Sequence, residues 1–192
     1  MKNVSRRNVV RSAGWVAPAV VAATAIPAYA VSSTLPPTDF NGNSRVVRTS
    51  TQQLQIRSNP SLGYGARIFN AKTTDVVSAI SITYWLPQEN LTFSSYPVSG
   101  VSSADISAWS VPAPGSYATK THGGYTWYPY TMTYQGSLNL VAGENLFPTY
   151  SFLTNESFTN SLSGQYYDYQ IDVTINGELR SKYGNVATQT FA

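Results

Sequence analysis

The sequence predicts an all-β fold, an antiparallel β-sandwich, on three observations. First, two runs alternate strictly. Ile80, Ile82, Tyr84 and Leu86 interleave with Ser81, Thr83 and Trp85, while Tyr167, Tyr169, Ile171, Val173 and Ile175 interleave with Tyr166, Asp168, Gln170, Asp172 and Thr174. A period of two belongs to a strand with one packed and one wet face. Second, clusters of Gly, Pro, Asn and Ser recur at roughly the 8–12-residue spacing of a sandwich. Third, Ser and Thr supply 41 of the 162 residues after Ala30, and 13 tyrosines lie in the same stretch. Hydroxyl and aromatic side chains suit a pleated, half-buried surface. Helical periodicity is hard to find beyond residue 30.

The elements follow in order. Residues 31–43 hold Ser, Thr, Pro36-Pro37 and Asn41-Gly42, the composition of a flexible linker, so a single sandwich domain is expected over 44–192. Pro87 ends the strand that contains Ile80 and Leu86, and Leu91-Thr92-Phe93 begins another. Trp109 sits in a short run closed by Val111-Pro112-Ala113-Pro114-Gly115, a strong turn signal. Tyr125–Tyr134 reads as an aromatic strand in which Pro129 argues for an edge position or a bulge. Leu138-Asn139-Leu140 and Tyr150-Ser151-Phe152 flank a turn at Ala142-Gly143-Glu144-Asn145. In the last hairpin, a two-residue Asn176-Gly177 turn would put Arg180 and Lys182 on the apolar face. A three-residue loop with a bulge at Gly177 pairs Val173 with Leu179 and keeps that face apolar. The three-residue loop is therefore expected.

Residues 1–30 have a different character. Ser5-Arg6-Arg7-Asn8-Val9-Val10-Arg11 leads into a mildly apolar run from Ala13 to Ile26, which closes on Ala28-Tyr29-Ala30. A charged region, an apolar region and a small-x-small cleavage site occur in the order of a signal peptide. The run resembles a bacterial twin-arginine (Tat) signal, with Val9, Val10 and Arg11 standing where the family motif has Phe, Leu and Lys. That resemblance implies Arg6 and Arg7 as the export signal, Ala28 and Ala30 as the small residues of one cleavage site with cleavage after Ala30, and the twin-arginine translocase and a signal peptidase as partners. It implies a protein secreted or held in the cell envelope. The apolar run is short and broken by Gly14 and Pro18, below the roughly 20 residues a membrane span needs, and no membrane span is expected after cleavage. The absence of cysteine excludes a lipobox and fits the twin-arginine habit of exporting folded proteins.

Charge follows from the same division. The chain has 12 basic and 9 acidic residues, but Lys2, Arg6, Arg7 and Arg11 lie in the leader, leaving eight basic against nine acidic. No basic cluster survives, so nucleic acid is not an expected partner.

The alternating strand, tight turn and closing strand over roughly the last 30 residues resemble the final hairpin of immunoglobulin-like domains on bacterial surfaces. An immunoglobulin-like sandwich implies adhesion, assembly or a spacer role rather than chemistry. The residues agree. His122 is the only histidine and is expected in an exposed loop, without the partners of a catalytic triad. One His and no Cys make no zinc site, and neither metal nor cofactor is expected. Asp168 and Asp172 share a strand face about 13 Å apart, beyond the reach of a glycosidase pair, and read as a solvated face. The sharpest candidate is the aromatic run Tyr125, Trp127, Tyr128 and Tyr130, with Trp85 as a further anchor. Such rings present large area at low entropy cost and suit a protein or glycan partner. The expected function is non-covalent interaction, not catalysis. The alternative is a small envelope hydrolase using carboxylates assembled by the fold.

Overall fold

The computed structural model describes residues 36–158 and 166–187. The signal motif and its cleavage residues lie outside them. The described chain is an all-β antiparallel sandwich, as the alternation predicts. One layer is a long sheet built from β5 (Val77–Leu86), β7 (Ala113–Pro114), β9 (Tyr125–Thr133), β12 (Tyr166–Ile175) and β13 (Glu178–Ala187). Its strand order is β13-β12-β5-β9-β7, and β8 (Lys120–His122) also pairs with β9. The facing layer has two smaller sheets. β1 (Asp39–Gly42), β4 (Ala66–Ala71) and β10 (Gly143–Phe147) run in the order β1-β4-β10. β2 (Arg45–Arg48), β3 (Leu54–Arg57), β6 (Phe93–Ser95) and β11 (Ser151–Thr154) run in the order β2-β3-β11-β6.

The core lies between these layers and follows from the period of two. Ile80, Ile82, Tyr84 and Leu86 of β5 and Tyr167, Ile171, Val173 and Ile175 of β12 are buried, facing Phe40, Val46, Leu54, Ile56, Ile68 and Phe152. Polar atoms reach across the middle. Tyr84 and Tyr150 share a hydroxyl–hydroxyl hydrogen bond of 2.6 Å, and the Tyr150 hydroxyl also meets Ser44 Oγ at 2.8 Å and the Asn43 carbonyl at 3.2 Å. Burial pushes both phenols well above their ordinary pKa, with the neighbouring Tyr150 adding to the effect at Tyr84.

Several expectations need correcting. Part of the range read as a linker is sheet, since Asp39–Gly42 pairs along β4 with Phe40 opposite Ile68. Phe40 is an apolar anchor that a Pro- and Asn-rich context obscures. Leu138-Asn139-Leu140 forms no strand, and the expected turn at 142–145 instead opens β10. One short helix, α1 (Ser103–Ser107), precedes Trp109 and is held by a reciprocal capping box between Ser102 and Asp105, the S-x-x-D signal of a helix start. The last hairpin has the two-residue turn: Ile175 faces Glu178 and Val173 faces Arg180. Asn176 at φ 54° and Gly177 at φ 79° supply the left-handed pair of a type I′ turn. Arg180 and Lys182 tolerate their face because β13 is an edge strand, where they find partners. Arg180 donates to the Thr38 carbonyl at 3.3 Å and to Glu178, and Lys182 reaches Asp39 at 2.6 Å.

Pro129 neither makes a bulge in the pairing of β9 with β5 nor marks a sheet edge. The strand pairs with β5 on one side, Trp85 opposite Pro129, and with β8 and then β7 on the other. The Pro129 carbonyl accepts from Gly115 N at 2.8 Å. In extended backbone, a residue's N–H and C=O point to the same side, so the donor that proline lacks faces the break between β8 and β7. No ladder bond to β5 is lost.

Candidate functional site

The outer face of the long sheet is covered by the segment between β7 and β8. Trp85, expected as a surface anchor, is 2 % exposed. Its indole N–H donates to the Ala118 carbonyl at 3.0 Å, its ring lies 5.8 Å from that of Tyr117, and Lys120 Nζ sits 3.7 Å over its face. Lys120 also meets Asp168 at 2.7 Å. One lysine therefore caps an aromatic ring and a carboxylate together.

Asp172, read as solvated, is buried at 4 % exposure. Its carboxylate accepts from the Tyr117 hydroxyl at 2.7 Å, from Gln170 Nε2 at 2.6 Å and from Ser181 Oγ. Burial and the Asp172 carboxylate push the Tyr117 phenol up to about 12. A buried carboxylate persists when it is fully hydrogen-bonded, and here it ties the covering segment to β12 and β13. Asp168 and Asp172 thus hold structure on this face, each by a different partner.

The aromatic strand divides in two. Trp127 and Tyr130 are buried at 0 % and 1 % exposure, whereas Tyr125 and Tyr128 are half-buried. Trp127 is clamped between His122, stacked at 4.3 Å, and Tyr167, edge-on at 5.2 Å. His122 is the last residue of β8 rather than part of a loop, because Gly123 and Gly124, at φ 60° and 79°, make the turn into β9. The Tyr130 hydroxyl donates to the Gln88 carbonyl at 2.8 Å and accepts from Leu91 N at 3.0 Å. A flat platform of all five predicted aromatics is therefore not present.

A cleft stands in its place. About 220 Å³ in volume, it is walled by the rings of Tyr117, Tyr128 and Tyr130 and by Pro114 and Pro129, with Glu89 and Asn90 at its rim. Glu89 and Asn90 are exposed on the turn after β5, where Asn90 takes φ 57°. Rings and prolines on the walls with a carboxylate and an amide above them form an amphipathic site, apolar surface with a few convergent polar groups. Reading the sequence singled out Tyr128 and Tyr130 but missed Glu89, Asn90 and Tyr117. Their signals were the Gln88-Glu89-Asn90 turn and the Pro-Gly pair that starts the covering segment.

Among the described residues, no three His, Cys, Asp or Glu side chains group as a metal site, and no helix is long and apolar enough to cross a membrane. No family model matches the sequence, and no curated protein matches it. Among the solved structures that match at low similarity are two. One is AvmM, described as catalysing macrocyclization in alchivemycin A biosynthesis, at TM-score 0.35 and 8 % identity, covering 81 % of this chain and 89 % of that one. The other is a DUF4466 family protein from Parabacteroides merdae ATCC 43184, at TM-score 0.32 and 8 % identity, covering 79 % of this chain and 44 % of that one. Likenesses at these scores carry no argument about fold or activity. What the residues themselves establish is an all-β antiparallel sandwich with an amphipathic cleft beside Tyr128.

Proposed function

We propose that this is an exported protein of the cell envelope or the extracellular space that works by non-covalent contact, binding a glycan in the cleft beside Tyr128. The observation that carries the reading is the cleft's composition. The half-buried Tyr128 lines the cleft, an aromatic ring of the kind that packs on the C–H surface of a sugar, and Glu89 and Asn90 line the same cleft as groups that accept and donate hydroxyl hydrogen bonds. The volume lies below the about 300–1,000 Å³ of typical small-molecule pockets, which suits one ring of a longer glycan. The immunoglobulin-like resemblance of the last hairpin and the twin-arginine leader support the same assignment.

Catalysis is the weaker reading. Glycoside hydrolysis needs two carboxyl groups flanking the bond, and Glu89 is the one carboxylate among the described residues lining the cleft. Asp168 and Asp172 are engaged by Lys120 and Tyr117 beyond its wall.

Titration of the protein with N-acetylglucosamine and glucose oligomers, followed by calorimetry and by the fluorescence of Trp85 behind Tyr117, tests the site. Saturable binding that Tyr128→Ala weakens about tenfold or more, in line with the loss of a buried aromatic anchor, is expected. Equal binding by wild type and Tyr128→Ala would sink the assignment. The export arm is tested separately: Arg6→Lys/Arg7→Lys should abolish export, and unchanged export removes the twin-arginine route.

A further inference from the structure

A second site lies on the other layer. The β2–β3 hairpin turns through 49–53, with Thr49 N bonded to Gln53 O at 2.9 Å and Gln52 at φ 64°. That turn sets Arg48 opposite Leu54, and hence Arg45 opposite Arg57. Val46 and Ile56, one position along, both point into the core at 0 % exposure. By the alternation of a strand, Arg45 and Arg57 share the opposite face, half-buried beside the buried Val47 and Gln55.

Cross-strand partners have Cβ atoms about 5 Å apart, and like charges placed so are destabilising. The rest of the molecule avoids such placement. Eight Lys and Arg side chains fall among the described residues. Arg67, Lys120, Arg180 and Lys182 sit in ion pairs, Arg48 is held by the Phe158 carbonyl and Gln52, and Lys72 stands beside Asp75. Arg45 and Arg57 alone among them have neither a carboxylate nor a hydrogen bond, and Arg57 Nε is buried without a partner. Burial, and then the Arg45 charge, lower the pKa of Arg57 from its ordinary value. A buried guanidinium N–H with no acceptor costs free energy.

We infer that Arg45 and Arg57 together bind a tetrahedral oxyanion, a phosphate or sulfate group, whose negative charge and acceptor oxygens supply what both guanidinium groups lack. Arginine's fork of donors matches phosphate geometry, and the register sets two such residues opposite each other on adjacent strands. The site is independent of the Tyr128 cleft, which is built on the long sheet.

The test is a phosphate titration of the ¹⁵N-labelled full chain at fixed ionic strength, read on the arginine Nε–H resonances and on the thermal midpoint. The expected result has two parts. The Arg57 Nε–H resonance moves with inorganic phosphate but not with chloride, and Arg45→Gln binds phosphate about tenfold more weakly, the loss of one charge-assisted hydrogen bond. In phosphate-free buffer at low salt, the same substitution raises the thermal midpoint by relieving the like-charge contact. A parallel titration with dimethyl phosphate identifies the source. A matching response assigns the pair to a phosphodiester on a larger molecule, and a response to inorganic phosphate alone assigns it to the free ion. Should Arg57→Gln fail to fold, Arg45→Gln and the wild-type resonances carry the test. Unmoved Arg45 and Arg57 resonances, or Arg45→Gln binding as tightly as wild type, would overturn the inference. Tyr128→Ala leaves the phosphate response intact, so failure of the glycan reading and failure of this one are separable.

Discussion

Replacing Tyr150 with Phe removes one oxygen from the middle of the sandwich while keeping the ring. The hydroxyl is bonded to Tyr84 at 2.6 Å, Ser44 at 2.8 Å and the Asn43 carbonyl at 3.2 Å, and both tyrosines are 0 % exposed. Ser44 is half-buried and recovers a partner from water. The Tyr84 hydroxyl is left unpaired, which costs about 1–3 kcal/mol, and the Asn43 carbonyl loses a weaker bond. The expected loss for Tyr150→Phe is about 2–3 kcal/mol. Tyr84→Phe costs less, about 1 kcal/mol, because Tyr150 keeps Ser44 and Asn43. The double variant should cost less than the sum of the two, by about 1 kcal/mol or more, since no orphan hydroxyl remains on the Tyr84 side. Urea denaturation of the four proteins closes the cycle. Tyr150→Phe within about 0.5 kcal/mol of wild type, or a double variant additive to that margin, would refute the argument that this junction joins the layers through satisfied polar atoms.

Alkaline titration probes the same core. Burial raises the folded-state pKa of Tyr84, Tyr150 and Tyr167, so the native state holds these protons more tightly than the unfolded chain. Stability is full below the unfolded value near 10 and is lost as pH rises through the folded values, at about 4 kcal/mol per pH unit for three groups. The tyrosinate absorbance of these three buried phenols should therefore appear in a cooperative step together with loss of near-ultraviolet dichroism, separate from that of exposed tyrosines such as Tyr96 and Tyr183; ionisation of all the tyrosines with dichroism intact contradicts it. Gly65→Ala should destabilise by about 2–4 kcal/mol, because its Cβ would lie 2.4 Å from the Pro148 carbonyl and 2.7 Å from the Tyr150 ring. Gly124→Ala meets nothing within 4 Å and should cost only the left-handed backbone penalty, about 1–2 kcal/mol; similar melting of the two variants contradicts the contrast. Asp75 is held below its ordinary pKa by hydrogen bonds from Thr38, Lys72 N and Asn176. That stability is present above its unfolded value and lost as pH falls through the folded one, so Asp75→Asn should flatten the acid limb of the stability profile. An unchanged acid limb counts against it.

What was legible in the sequence was what neighbours along the chain decide. The faces of β5 and β12 follow from alternation alone, because the spacing of Ile80, Ile82 and Tyr84 is a local property. The register of the last hairpin was not legible, since the partners that make Arg180 and Lys182 tolerable, Thr38 and Asp39, lie 142 and 143 residues away. Trp85 was misjudged for the same reason. Nothing near it in sequence announces that Tyr117, Ala118 and Lys120 fold over its ring. The cleft draws on three separate segments, and only its Tyr128–Tyr130 wall carried a signal. The Arg45–Arg57 juxtaposition needed the register of β2 and β3, and a five-residue turn leaves that open until the structure is known.

The contacts of Thr38 and Asp39 with Arg180 and Lys182 join the first strand of the fold to its last. Strand β1 docks beside a hairpin that comes last among the described strands, so the sandwich cannot close until β13 has been made. Long-range pairing of this kind slows folding and leaves Phe40 and its sheet edge waiting for the final strand. A nascent chain halted before Lys182 would lack the clasp for Asp39, and a protease would find strand β1 open until β13 is added.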